Sequence, residues 1–168
     1  MRFDPDLSKA HAGFPILERG EYQLEITGVK GYFRIKDNGE PSAGIRLGVK
    51  CLGLRAADGS LDTTIDEADE QVSPHMLWVH TKKAYGMTKQ VILAAMGYGL
   101  DEERQANDEF FEGADFSFEV DDSDPDSVTI AIGDSWSNLV GKVINVTADV
   151  RTWEGKLQQD YRAFSPVR

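Results

Sequence analysis

The segment KVINVTADVRTWEGKLQQDYRAF, residues 142–164, decides the fold. Its first half alternates Ile144, Val146, Ala148 and Val150 with Asn145, Thr147, Asp149 and Arg151. That period of two is what a strand needs when one face is buried and the other is wet. Glu154-Gly155 suits a two-residue turn, and residues 157–164 form the returning strand. The turn sets a register: Trp153 opposite Lys156, Arg151 opposite Gln158, Thr147 opposite Arg162, and Tyr161 turned inward beside Ala148. It also sets Asp149 against Asp160, an unfavourable like-charge pair that a bulge would relieve.

Working toward the N-terminus, a second hairpin is expected. Tyr22, Leu24 and Ile26 alternate with Gln23, Glu25 and Thr27, and Gly28 permits a bulge before residues 29–35. Asp37-Asn38-Gly39 suits a turn with positive φ. The return strand, residues 45–54, puts Ile45, Leu47, Val49 and Cys51 on a core face and Arg46, Gly48 and Lys50 on the other. A third strand is expected at residues 76–80, with Leu77 and Val79 opposing Met76, Trp78 and His80. A helix follows, with Thr88 as N-cap, Val91, Ile92, Ala95 and Met96 as its buried stripe and Gly97 as its stop. A second helix runs from Asp101 to near Gly113, and strands at 116–120 and 128–132 flank an acidic tip. Residues 1–19 read as an irregular arm.

Composition bounds the whole. The 168 residues, 40% of them apolar, suffice for one domain with elaborations, residues 1–168. The lone Cys51 excludes an internal disulfide and every multi-cysteine zinc motif, and it fits a reducing, cytoplasmic compartment. The start lacks a signal-peptide pattern, and no run approaches 18 apolar residues. Charge is sorted by position. Residues 58–70 and 101–127 hold 18 of the 29 acidic residues and one base, Arg104, leaving 11 acids against 17 bases elsewhere. A basic surface is therefore compatible with the net charge of −11, because charges more than about 10 Å apart are largely screened.

Two long strands, a third strand, a helix and a closing hairpin form the element order of a five-stranded OB barrel. The expected class is mainly β, with one or two helices, an acidic loop at 58–70 and a helical and acidic hairpin insertion at 101–135. At this point the chain resembles the small single-stranded DNA-binding proteins of bacteriophages. The resemblance lies in Gly20-Glu21-Tyr22, in Trp78-Val79-His80-Thr81-Lys82-Lys83, in Ala94-Ala95-Met96-Gly97-Tyr98 and in Trp136-Ser137-Asn138-Leu139-Val140-Gly141-Lys142. It implies an OB fold that coats single strands during phage replication or recombination, without catalysis. The ending Phe164-Ser165-Pro166-Val167-Arg168 departs from the acidic tail of cellular relatives, which puts tail-mediated recruitment of replication proteins in doubt.

Sequence-tolerant strand binding needs cations along the phosphates and rings for the bases. Four segments pair the two: Tyr32, Phe33, Arg34 and Lys36; Arg46 and Lys50; Trp78, Lys82, Lys83 and Tyr85; and Arg151, Trp153, Lys156 and Arg162. An aromatic residue is more often core than platform. Trp153 is the exception, because a hairpin tip has little core to cover it. Trp136 is open between the two. The acidic inserts either serve solubility or compete with the strand for the basic face.

Enzyme readings are weaker. Asp122, Asp124 and Asp126 imitate a calcium loop, but Ser127 and Gly133 stand where glycine and glutamate are required. His75 and His80 lack the HExxH spacing. Phosphate loops and nucleophile elbows are absent. No cofactor, metal or membrane is expected. The expected partner is single-stranded DNA, with phage or host replication and recombination proteins and a second copy of the chain as further candidates. The competing reading is an acidic protein-interaction module, a DNA mimic or adaptor acting on a basic partner protein. A carboxylate-dependent nuclease is a third.

Overall fold

The computed structural model describes residues 1–4 and 13–168; of the arm expected at residues 1–19, the part at 5–12 lies outside the described residues. Eight strands and two α-helices follow one another as β1 (Gly20–Ile35), β2 (Pro41–Arg55), β3 (Leu61–Asp62), β4 (Gln71–Trp78), α1 (Lys82–Ala95), α2 (Glu103–Glu109), β5 (Phe118–Asp121), β6 (Thr129–Ile132), β7 (Val143–Trp153) and β8 (Lys156–Pro166). The chain is mainly β. One antiparallel sheet runs β3-β2-β1-β7-β8 with β4 also paired to β2, and β5-β6 form a separate hairpin.

Each long hairpin follows from its turn. Gly39 adopts φ +83° and Asn38 Oδ1 accepts the Glu40 N–H at 3.0 Å, which closes β1 onto β2. Glu154 and Gly155 both have positive φ, the twist a two-residue hairpin requires. The β7-β8 register is the expected one, including Asp149 opposite Asp160. That like-charge pair persists without a local bulge because Arg162 donates to Asp149 at 3.1 Å. The register shift falls instead between Asn145 and Thr147, near Ala163 at φ +54°.

The core lies on one face of the main sheet. Tyr22, Leu24 and Ile26 of β1, Ile45, Leu47, Val49 and Cys51 of β2, and Ile144, Val146 and Ala148 of β7 are all buried there. Helix α1 adds Val91, Ile92 and Ala95. Its N-cap differs from expectation: Thr81 caps it, accepting the Ala84 N–H at 3.3 Å, while Thr88 is buried in the second turn and donates to Trp78 O at 2.8 Å. The helix therefore starts seven residues earlier, through a strand-adjacent Lys-Lys-Ala-Tyr-Gly that has weak helical periodicity. Gly97, at φ +88°, follows its end as expected.

The seam between β4 and β8 is not a ladder among the described residues. It is bridged by side chains and by the segment entering β1. Tyr161 donates its hydroxyl to Ser73 O at 2.6 Å, and His75 packs against Tyr161 and Phe164 at 5.8 and 5.0 Å. Pro15 O accepts the Ser73 N–H, and Gln159 brackets Leu17, accepting its N–H at 2.6 Å and donating to its carbonyl at 3.1 Å. Leu17 is 0% exposed, so this irregular segment contributes to the core.

Candidate nucleic-acid interface

Strand register builds one continuous surface. Lys30 of β1, Arg46 of β2 and Met76 of β4 are cross-strand neighbours, and the next row is Tyr32, Gly44 and Trp78. Side chains two apart on a strand share a face, so both rows, with Arg34, lie on the side away from Ile45 and Leu47. Gly44 is required here: a Cβ at this position would meet Leu77 O at 2.7 Å and Trp78 Cε3 at 3.0 Å. The indole thus lies down on the β2 backbone. Tyr32 and His80 meet Trp78 edge to face at 6.0 and 5.4 Å. His80 is held in turn by Ala43, whose N–H lies 3.2 Å from Nδ1.

A cleft of about 400 Å³ continues this surface between β4, the start of α1 and the β7-β8 hairpin. Trp78, Met76, Met87 and Arg151 line it, with Asp160. Trp153 and Lys156 share the face of Arg151 at the hairpin tip, where Trp153 is 60% exposed. Lys82 and Lys83 are exposed in the first turn of α1, which holds no acidic residue. Cations there oppose the helix dipole, and an anion would relieve them.

Other expected members sit elsewhere. Phe33 alternates with Tyr32 and Arg34 and faces the opposite side, paired with Ala43. Lys50 shares the Arg46 face but lies 3.1 Å from Asp69 and 3.7 Å from Glu25, and Asp69 above all holds its ammonium above the ordinary lysine range. Arg162 is bound to Asp149. Tyr85 lines a different cavity, beside His80 and α1. Lys36 is exposed beyond the end of β1. Trp136 is core, donating Nε1–H to Ser117 O at 3.2 Å and packing against Phe116.

Three side chains of this surface were not singled out by sequence. Lys30 and Met76 emerge only from cross-strand register. Phe14 is half exposed with the Arg46 guanidinium 5.9 Å from its ring centre, a placement no local pattern announces because it depends on the bridged seam.

The acidic hairpin β5-β6 lies on the other side of β1. A Cβ on Gly31 would approach Ile130 Cγ2 to 2.6 Å, and Gly31 pairs with core-facing Ile45. The hairpin therefore packs against the side opposite Lys30, Tyr32 and Arg34. Its carboxylates bind locally, Asp121 to Ser123 and Asp124 to the Asp126 N–H. Among the described residues, no three His, Cys, Asp or Glu side chains converge as metal ligands, and no helix is long and apolar enough to cross a membrane. No protein-family model matches the chain, and comparison with curated proteins finds no match.

Proposed function

We propose that this protein binds single-stranded DNA without sequence preference and without catalysis, coating strands during phage replication or recombination. In this reading β1, β2, β4, β7 and β8 are the five strands of an OB-type barrel, with α1 between the third and fourth. The observation that carries it is the pair of adjacent rows Lys30-Arg46-Met76 and Tyr32-Gly44-Trp78, on the face opposite the acidic hairpin. Cations alternate there with rings at a spacing that serves phosphates and bases together.

Arg34, Arg46, Lys82 and Arg151 hold phosphates. Trp78, Tyr32 and Trp153 stack bases, each stacked base contributing roughly 1–3 kcal/mol. Arg46 and Arg151 flank Trp78 through Met76 and the shared cleft, so a strand crossing the surface meets charge on both sides of the indole. Apart from Lys82 at the start of α1, the side chains needed for binding come from strands, which favours a preformed surface over one ordered on contact.

The test is titration of a labelled oligo-dT by fluorescence anisotropy. Affinity is expected to fall as salt rises, with about 0.7 counterions released per phosphate neutralised. Trp78→Ala is expected to weaken binding by roughly 1–3 kcal/mol with the thermal transition retained. Binding insensitive to both salt and Trp78 sinks the proposal.

A further inference from the structure

A cavity of about 660 Å³ lies between α1 and the insertion that carries the acidic hairpin. Its walls are Val79 and Ile92 on one side and Phe111, Phe116, Phe118 and Val120 on the other. Phe118 and Val120 alternate with Glu119 and Asp121 along β5, so the strand turns its apolar face inward and its carboxylates outward. The one cation in the lining, Lys89, is already engaged: it donates to Glu103 at 2.9 Å and to Asn107 at 2.7 Å, and its ammonium stands 4.9 Å from the centre of the Phe111 ring. His80 is committed to Ala43. The cavity therefore offers chiefly apolar contact, and the cation among its lining residues is already engaged.

We propose that this cavity docks a segment of a partner protein, a bulky apolar anchor followed by lysines or arginines. The anchor fills the aromatic walls. Charge fixes both the class and the direction of the occupant: residues 101–127, which supply the Phe111–Val120 side, hold 12 acidic residues and one base, Arg104, whereas α1, which supplies the opposite side, begins with Lys82 and Lys83 and has no acidic residue in its first turn. The cations of the segment accordingly lie over the insertion and its anchor points toward α1. Nucleic acid is disfavoured by the same charge. Because the insertion packs on the side of β1 opposite Lys30 and Arg46, the partner's basic part lies away from the two rows that bind the strand. The docking is independent of the strand-binding reading.

The experiment is selection from a random peptide library displayed on phage, with counter-selection against Val120→Lys, which places a cation on the cavity wall in a hairpin outside the main sheet. Circular dichroism first verifies that this variant keeps the wild-type melting temperature. The selected peptides are expected to share an aromatic or long aliphatic residue with Lys or Arg on one side. The synthetic consensus peptide should lose at least tenfold in affinity to Val120→Lys and to Phe118→Ser, and several-fold between low and high salt. Oligo-dT should not displace it. Enrichment without cations, no enrichment over the counter-selection, or displacement by oligo-dT overturns the proposal.

Discussion

Two cations on one strand face separate what sequence can and cannot say about single residues. Arg46 and Lys50 are equivalent in the pattern of β2, four apart on the same side, yet Lys50 meets Asp69 and Glu25 while the Arg46 guanidinium stands over the Phe14 ring and, among the described residues, is bound to no carboxylate. The partners come from β1 and from the acidic loop, so no local window contains them. Arg46→Ala is expected to lower the slope of log affinity against log salt by about 0.7, one phosphate contact, and Lys50→Ala to leave it unchanged. Equal losses of slope would place both side chains on the strand. His75 makes a residue-scale prediction about stability. Enclosed by Tyr161 and Phe164, it loses its hydration, which outweighs the pull of Asp160 and lowers its pKa from 6.5 to about 4. The unfolded chain thus takes up this proton from about pH 6.5 downward while the folded chain stays neutral until about pH 4. Stability is complete above pH 7 and falls, by up to roughly 3 kcal/mol, between pH 6.5 and 4. Urea midpoints at pH 7 and pH 4.5 should differ more for the wild type than for His75→Phe; identical pH responses would remove His75 as the cause.

Elements were legible where period and turn chemistry agreed. The β7-β8 register could be written from Glu154-Gly155 alone, because a two-residue turn leaves no freedom in pairing, and the core face of β2 follows from strict alternation of Ile45, Leu47, Val49 and Cys51. The start of α1 was not legible, since Thr81 and Thr88 are equally good caps and the choice is made by packing: Thr88 is drawn inward to bond Trp78 O. Nor could periodicity orient the β5-β6 hairpin, whose placement depends on Gly31 leaving room for Ile130. That placement carries a prediction at the same scale. Replacing residues 122–127 by Asn-Gly removes three carboxylates from the tip, on the side of β1 away from Lys30 and Arg46. At an ionic strength near 0.15 M, where screening sets in within about 8 Å, oligo-dT affinity should change less than about twofold. A tenfold gain, read by anisotropy, would mean that the tip competes with the strand for the basic face.

At the scale of the whole molecule, the sheet is completed by parts that no strand pattern contains. Sequence supplied the order of the five main strands, though it set the third at residues 76–80 where β4 is Gln71–Trp78, and an ordered set of strands does not specify how the last edge meets the third; here that seam is a composite. Tyr161 spans it to Ser73 O, His75 fills the space beside Tyr161, and residues 15–17 run across it between Ser73 and Gln159. The segment reads as an irregular arm because its prolines and glycine suppress any period, yet Leu17 is as deeply buried as Leu24 in the middle of β1. Burial and not secondary structure decides what a leucine contributes, so Leu17→Ala should cost about 2–5 kcal/mol, within the range expected for Leu24→Ala. Gln159→Leu removes the amide that satisfies both backbone groups of Leu17 and should cost a further 1–3 kcal/mol or so, the usual penalty for stranding buried polar groups. The two changes act on one contact, and a double-mutant cycle measured by urea denaturation should return less than their sum. If Leu17→Ala costs under about 1 kcal/mol, the segment merely rests on the seam, and β4 and β8 are held together instead by Tyr161, His75 and the packing of α1 on both strands.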